Sequence, residues 1–222
     1  MKISDNILKH YLKNVYFITG TAYAGKSTTV RMLADRYDMI FCGENYHMDV
    51  ADVVADPAIQ PDICYNRSLT DWRDFVTRTP EEYERWIYSV GREAAEFEVA
   101  ELIRISADRK VIVDTNIPLD ILKEISDYHH VAVMLSPQSM SVERFFERSD
   151  PDKQFLLNVI DSCENRDAVM ENYRKGLARI NSREHYEEYA SSGFFTVIRE
   201  DNGIDTREEV CDKIAEHFGL IG

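Results

Sequence analysis

Residues 20 to 27 read Gly20-Thr21-Ala22-Tyr23-Ala24-Gly25-Lys26-Ser27, a complete GxxxxGKS loop. In such a loop the backbone N–H groups and the positive end of the following helix make a nest for phosphate oxygens. Gly20 and Gly25 permit the tight path. Lys26 is long enough to reach terminal phosphates as a point charge, the Ser27 hydroxyl suits a Mg²⁺ ion, and Thr28 in the first helical turn could meet an alpha phosphate.

Two further groups could act on what the loop holds. The segment Gly43-Glu44-Asn45-Tyr46-His47-Met48-Asp49 offers two carboxylates and an imidazole whose ordinary pKa lies near neutrality, the residue types of a general base. Arg144 and Arg148 are four residues apart, so a helix would carry both guanidinium groups on one face. They suit a clamp on phosphoryl charge, or a solvated face paired with Glu143 and Glu147.

These residues need a scaffold, and the apolar runs describe one. VYFI at 15 to 18, MIFC at 39 to 42, VIV at 111 to 113, VAVML at 131 to 135 and FFTVI at 194 to 198 alternate with helical patterns. Near-continuous apolar strands separated by helices predict a doubly wound α/β sheet covered on both faces. Ligands in such sheets bind beyond the carboxyl ends of the strands. The loop follows the first strand directly, and Lys26 to Tyr37 carries Val30, Leu33 and Ala34 at helical spacing, so the loop stands between strand and helix as its chemistry requires.

Two connections are long. One, about 43 to 90, runs through prolines 57 and 61 to a helix start at Thr79-Pro80-Glu81-Glu82; it reads as a substrate-covering insertion. Beyond that start, Tyr83, Trp86, Ile87, Val90, Ala94, Phe97, Leu102 and Ile105 predict a long amphipathic helix packed on the sheet. The other, about 137 to 155, lies between Pro137 and Pro151 and just beyond.

The 222 residues fit a single domain with insertions, and 44% hydrophobic content is that of a globular protein. Forty acidic against 26 basic residues give a net charge of −14, which opposes nonspecific binding to nucleic acid or anionic membrane. Cysteines 42, 64, 163 and 211 form no CxxC pair and indicate neither zinc site nor disulfide framework. The polar start and the lack of any long apolar run suggest a cytoplasmic protein, monomer or homodimer, without signal peptide or membrane span.

The loop and the order of elements resemble the P-loop kinases of the adenylate-kinase-like group. That group includes nucleoside monophosphate, shikimate and gluconate kinases and small-molecule phosphotransferases of the chloramphenicol phosphotransferase type. The resemblance implies a P-loop NTPase three-layer sandwich spanning 1–222, with a five-stranded parallel sheet of order 2-3-1-4-5, a substrate-binding insertion at about 43–90 and a lid at about 137–155. It further implies ATP and Mg²⁺ as cofactors. Carried onto these positions, it puts Lys26 and Ser27 at phosphate and metal and Arg144 and Arg148 in the lid. Asp114, ending Val111-Ile112-Val113-Asp114, looks like a Walker B acid, although an Asp there could also cap a helix or anchor the loop before Asn116 and Pro118. Glu44, then Asp49, are the candidates for the carboxylate that meets an attacking hydroxyl, and Tyr46, His47 and Arg67 for acceptor contacts.

The expected activity is transfer of the gamma phosphoryl group of ATP to a small-molecule acceptor, with a hydroxyl favoured. A nucleoside or nucleotide kinase is the nearest alternative, since Arg67, Arg73, Arg78 and Arg85 could meet a monophosphate and Tyr65 and Trp72 a base. A non-catalytic ATP-binding regulatory module is the alternative of another class. A small GTPase is disfavoured, because NKxD and DxxG motifs are missing.

Overall fold

A computed structural model describes residues 2–147, 150–200 and 203–221. In chain order the elements are α1 (Asp5–Tyr11), β1 (Val15–Gly20), α2 (Lys26–Arg36), β2 (Ile40–Cys42), α3 (Met48–Val54), α4 (Pro61–Ser68), α5 (Arg73–Val76), α6 (Pro80–Ile105), β3 (Val111–Asp114) and α7 (Leu119–Ile125). They continue with β4 (Val131–Leu135), α8 (Gln138–Glu143), α9 (Pro151–Asp161), α10 (Arg166–Ile180), α11 (Arg183–Ala190), β5 (Phe195–Ile198) and α12 (Arg207–His217).

The strands form one all-parallel sheet of order β2-β3-β1-β4-β5, consistent with the P-loop NTPase fold. Every residue of β1, β3 and β4 is buried, whereas the edge strands β2 and β5 are partly exposed. That gradient follows from covering a parallel sheet on both faces. Side chains alternate accordingly: Tyr16, Ile18, Ile112 and Met134 meet α2 and α12, while Val15, Phe17, Val111 and Val113 meet α1, α6 and α7.

The longest helix, α6, is started by a capping box. The Thr79 hydroxyl accepts from the Glu82 N–H at 3.2 Å and the Glu82 carboxylate accepts from the Thr79 N–H at 2.9 Å, with Pro80 in the first turn. Only its C-terminal half, including Ala95 and Leu102, packs on the sheet. Tyr83 and Trp86, expected on the sheet, instead join Phe75, Val76, Ile160, Met170, Tyr173 and Leu177 in a separate apolar cluster. The reason is length: the 26 residues of α6 extend about 39 Å, well past the strand ends. Phe145 and Phe146, from the expected lid, and Leu156 just beyond it pack into this same helical cap.

Two other expectations concern the whole chain. All four cysteines are free. Among the described residues, no helix is long and apolar enough to cross a membrane.

Candidate functional site

Register brings the loop and Asp114 together. Ile18 of β1 pairs with Asp114 of β3, and Gly20 with Met134 of β4. Gly20 has φ 127°, and a Cβ there would lie 1.9 Å from the Met134 carbonyl oxygen. A side chain at this position is therefore excluded twice, by backbone conformation and by contact.

The carbonyls of the loop are tied down one after another. Lys26 Nζ donates to the carbonyls of Gly20 and Thr21, both at 3.2 Å. Ser136 and Ser141 donate to that of Ala22 at 2.5 and 3.0 Å, and Arg199 Nη1 to that of Tyr23 at 2.8 Å. The Ser136 N–H donates to Thr21 Oγ1 at 2.8 Å, which fixes the loop against the end of β4. With these oxygens engaged from outside, and Gly25 in the left-handed conformation opening α2, the arrangement can present N–H groups to an anion. Thr28 follows exposed in the first turn of α2. Ala24 is buried and serves packing.

Ser27 Oγ donates to Asp114 Oδ2 at 2.6 Å. Asp114 is fully buried, and α7 begins only at Leu119 with Pro118 as its cap, so Asp114 serves the loop rather than that helix. Two hard oxygen groups at the mouth of the loop are of the type that can share a Mg²⁺ ion with phosphate and water. Among the described residues no group of three or more His, Cys, Asp or Glu side chains forms a metal cage, as such a shared site requires none.

A second carboxyl lies beneath. Glu98 of α6 is 1% exposed and accepts from Thr115 Oγ1 at 2.8 Å, while Thr115 Oγ1 accepts from the Ile117 N–H at 3.0 Å. Burial pushes its pKa up, the Thr115 hydrogen bond opposes that rise, and the charges of Glu44 and Asp114 add to it, leaving about 8. At neutral pH Glu98 is thus mostly protonated. Sequence reasoning missed it, although one signal existed: Glu98 interrupts the apolar stripe of Ala95 and Leu102. Arg199 was missed too; its signal is its place directly after β5, at a strand end.

The segment after β2 divides. Glu44 is exposed, its Oε1 accepts from Asn116 Nδ2 at 2.7 Å, and it is close enough to Glu98 to influence that carboxyl. Tyr46 points inward: its hydroxyl donates to the Glu98 backbone carbonyl at 3.0 Å, and burial raises its pKa. His47 is 4% exposed, its Nδ1 has no hydrogen-bond partner among the described residues, and burial lowers its pKa; it is a neutral imidazole at pH 7. Asp49 is exposed in the first turn of α3.

The expected arginines divide: Arg78 and Arg85 line one cavity that includes no residue of the loop, and others are held locally. Arg67 donates to the Asp52 carbonyl and to Cys64 Sγ, Arg73 grips Asp71, and Arg144 at the end of α8 lies 3.9 Å from Glu147. Arg148 lies outside the described residues. Trp72 packs against Phe75 and Phe155.

Beside the loop opens a cavity of about 480 Å³, lined by Thr21, Ser136, Gln138, Ser141, Asn181 and Tyr186 among others. Arg183 and Glu187 on its wall pair with each other at 2.7 Å, so its charges are balanced, and most of the exposed lining is apolar. The chain matches no protein-family model and no curated protein.

Proposed function

We propose that the chain is an ATP-dependent phosphotransferase of the P-loop kinase type, moving the gamma phosphoryl group to the hydroxyl of a small, uncharged acceptor. The observation that carries this reading is the 2.6 Å contact of Ser27 with buried Asp114 beside Lys26. It is the arrangement that a metal-bound triphosphate needs. Bound Mg²⁺ would neutralise charge on the beta and gamma oxygens.

The protein's own part is positioning and proton acceptance. Loop N–H groups and Lys26 hold the phosphates in place, and Arg199, anchored on the loop, adds positive charge at its edge. Glu44, held through one oxygen by Asn116, accepts the acceptor's proton with the other. The acceptor oxygen forms its bond to gamma phosphorus as the bond to the beta-bridging oxygen breaks, and ADP leaves with that electron pair. Neutral Glu98 holds Thr115 and so steadies the chain just after Asp114.

A hydroxyl is favoured over a phosphate acceptor because Arg67 and Arg73 are engaged locally and Arg78 with Arg85 line a cavity that includes no residue of the loop, whereas a monophosphate acceptor needs guanidinium groups converging beside the loop. The test is ADP release from ATP and Mg²⁺ with a panel of sugars, polyols, nucleosides, aminoglycoside-like and amphenicol compounds, and nucleoside monophosphates. Turnover is expected with an uncharged polyhydroxylated compound and not with K26A. Turnover with monophosphates alone would replace this reading by nucleotide kinase. ATP binding without stimulated turnover by any compound would replace it by a regulatory module.

A further inference from the structure

On the far side of α6 from the sheet lies a second cavity, of about 560 Å³, lined by Asp62, Tyr65, Asp74, Arg78, Glu82, Arg85 and Trp86 among others. Ser89 also lines it, and Ser89 is about two and a half turns and roughly 13 Å along the helix from sheet-facing Glu98. The two side chains therefore leave α6 in opposite directions, and no residue of the loop lines this cavity.

Its centre is Arg78. The guanidinium lies 3.7 Å from the Tyr65 ring centroid and 5.1 Å from those of Phe75 and Trp86, and its Nη1 is buried with no hydrogen-bond partner among the described residues. The backbone on either side is fixed, by Asn172 Nδ2 donating to the Arg78 carbonyl at 2.6 Å and by the Thr79 capping box. An arginine so held has already lost most of its conformational freedom; Nη1 is sealed from solvent, so a ligand meets the part of the guanidinium that lines the cavity. The nearby carboxylates do not supply the missing acceptor: Glu82 accepts from the Thr79 N–H and Asp62 from Ser89.

We propose that this cavity binds a zwitterionic small molecule of the α-amino acid class, its carboxylate on Arg78. The mixed charge of the wall selects the class. The wall sets Asp62, Asp74 and Glu82 against Arg78 and Arg85, so a dianion meets more negative than positive charge, whereas a ligand ammonium finds Asp74 exposed on the rim, and Trp86 and Tyr65 offer apolar surface to a side chain. The site is independent of phosphoryl transfer and stands whether or not that activity is found.

The experiment is a thermal-shift screen of the full chain with the twenty α-amino acids, inorganic phosphate, propionate and propylamine, followed by calorimetric titration of the best amino acid. At least one amino acid is expected to raise the melting temperature, and R78M to weaken its binding by about tenfold or more. K26A should bind it as the natural chain does, and propionate and propylamine should bind far more weakly. If R78M fails to melt cooperatively, D74N replaces it: weaker amino-acid binding with unchanged propionate binding is expected. Absence of amino-acid binding, or equal binding by R78M (or by D74N in its place), overturns the site. Phosphate or propionate binding as tightly as the amino acid overturns the zwitterion assignment.

Discussion

The phosphate loop and the helical cap satisfy their polar groups in opposite ways. Around the loop, Lys26, Ser136, Ser141 and Arg199 each engage a backbone carbonyl, so the chain's own side chains turn a backbone segment into a receptor. In the cap the backbone around Arg78 is settled, and part of its guanidinium lines a cavity. A backbone receptor depends on local geometry and suits a phosphate that many proteins share. A side-chain receptor depends on which helices meet, and can be particular to one chain.

The comparison breaks most severely at Gly20. G20A places a methyl inside the Met134 peptide, and the strain of a positive φ adds to it, so a loss of about 3 kcal/mol or more is expected by chemical denaturation. A fully stable G20A would mean that β1 and β4 do not approach as described. Next comes the chemistry. K26A or D114N should lower phosphoryl transfer by about a hundredfold or more while the thermal melt stays cooperative; kinetics within a factor of a few of the natural protein would remove these residues from the site.

A smaller effect sharpens the contrast through Glu98. Its folded-state pKa of about 8 lies above the ordinary glutamate value of 4.5, so the folded state holds this proton across a window where the unfolded chain has lost it. Its contribution is complete below pH 4.5 and falls away as pH rises to about 8, a difference on the order of a few kcal/mol. E98Q should flatten this part of the stability-versus-pH curve and be relatively more stable at pH 8 than at pH 5. An unchanged curve would show that Glu98 ionises normally.

The mildest change is S136A. It removes the hydroxyl that reaches the Ala22 carbonyl but leaves Ser141 on the same oxygen, so about 1 kcal/mol of stability should be lost, with weaker ATP binding. ATP affinity equal to that of the natural protein would show that the loop holds its shape without this tie.

These contrasts also explain what could be read from sequence. The loop and the five apolar runs are local signals, and the strands observed begin and end within a residue or two of those runs. Strand order came with the resemblance, because an apolar run carries no record of its neighbours. Asp114 was legible because strand end and carboxylate coincide. Glu98 was hidden by its setting among Glu93, Glu96 and Glu101, where only its phase on the helix marks it as inward. Arg78 looked like one of several insertion arginines. Its aromatic surroundings arise when Tyr65, Phe75 and Trp86 from three helices come together, and no spacing along the chain encodes that meeting.

The central claim, phosphoryl transfer at Lys26 and Asp114, is tested most directly by following ATP labelled in its gamma phosphate with Mg²⁺ and an uncharged polyhydroxylated acceptor. The account predicts that the label moves onto an organic product in the natural protein and stays in ATP with K26A. Label appearing only as inorganic phosphate, or moving equally well with K26A, would contradict it.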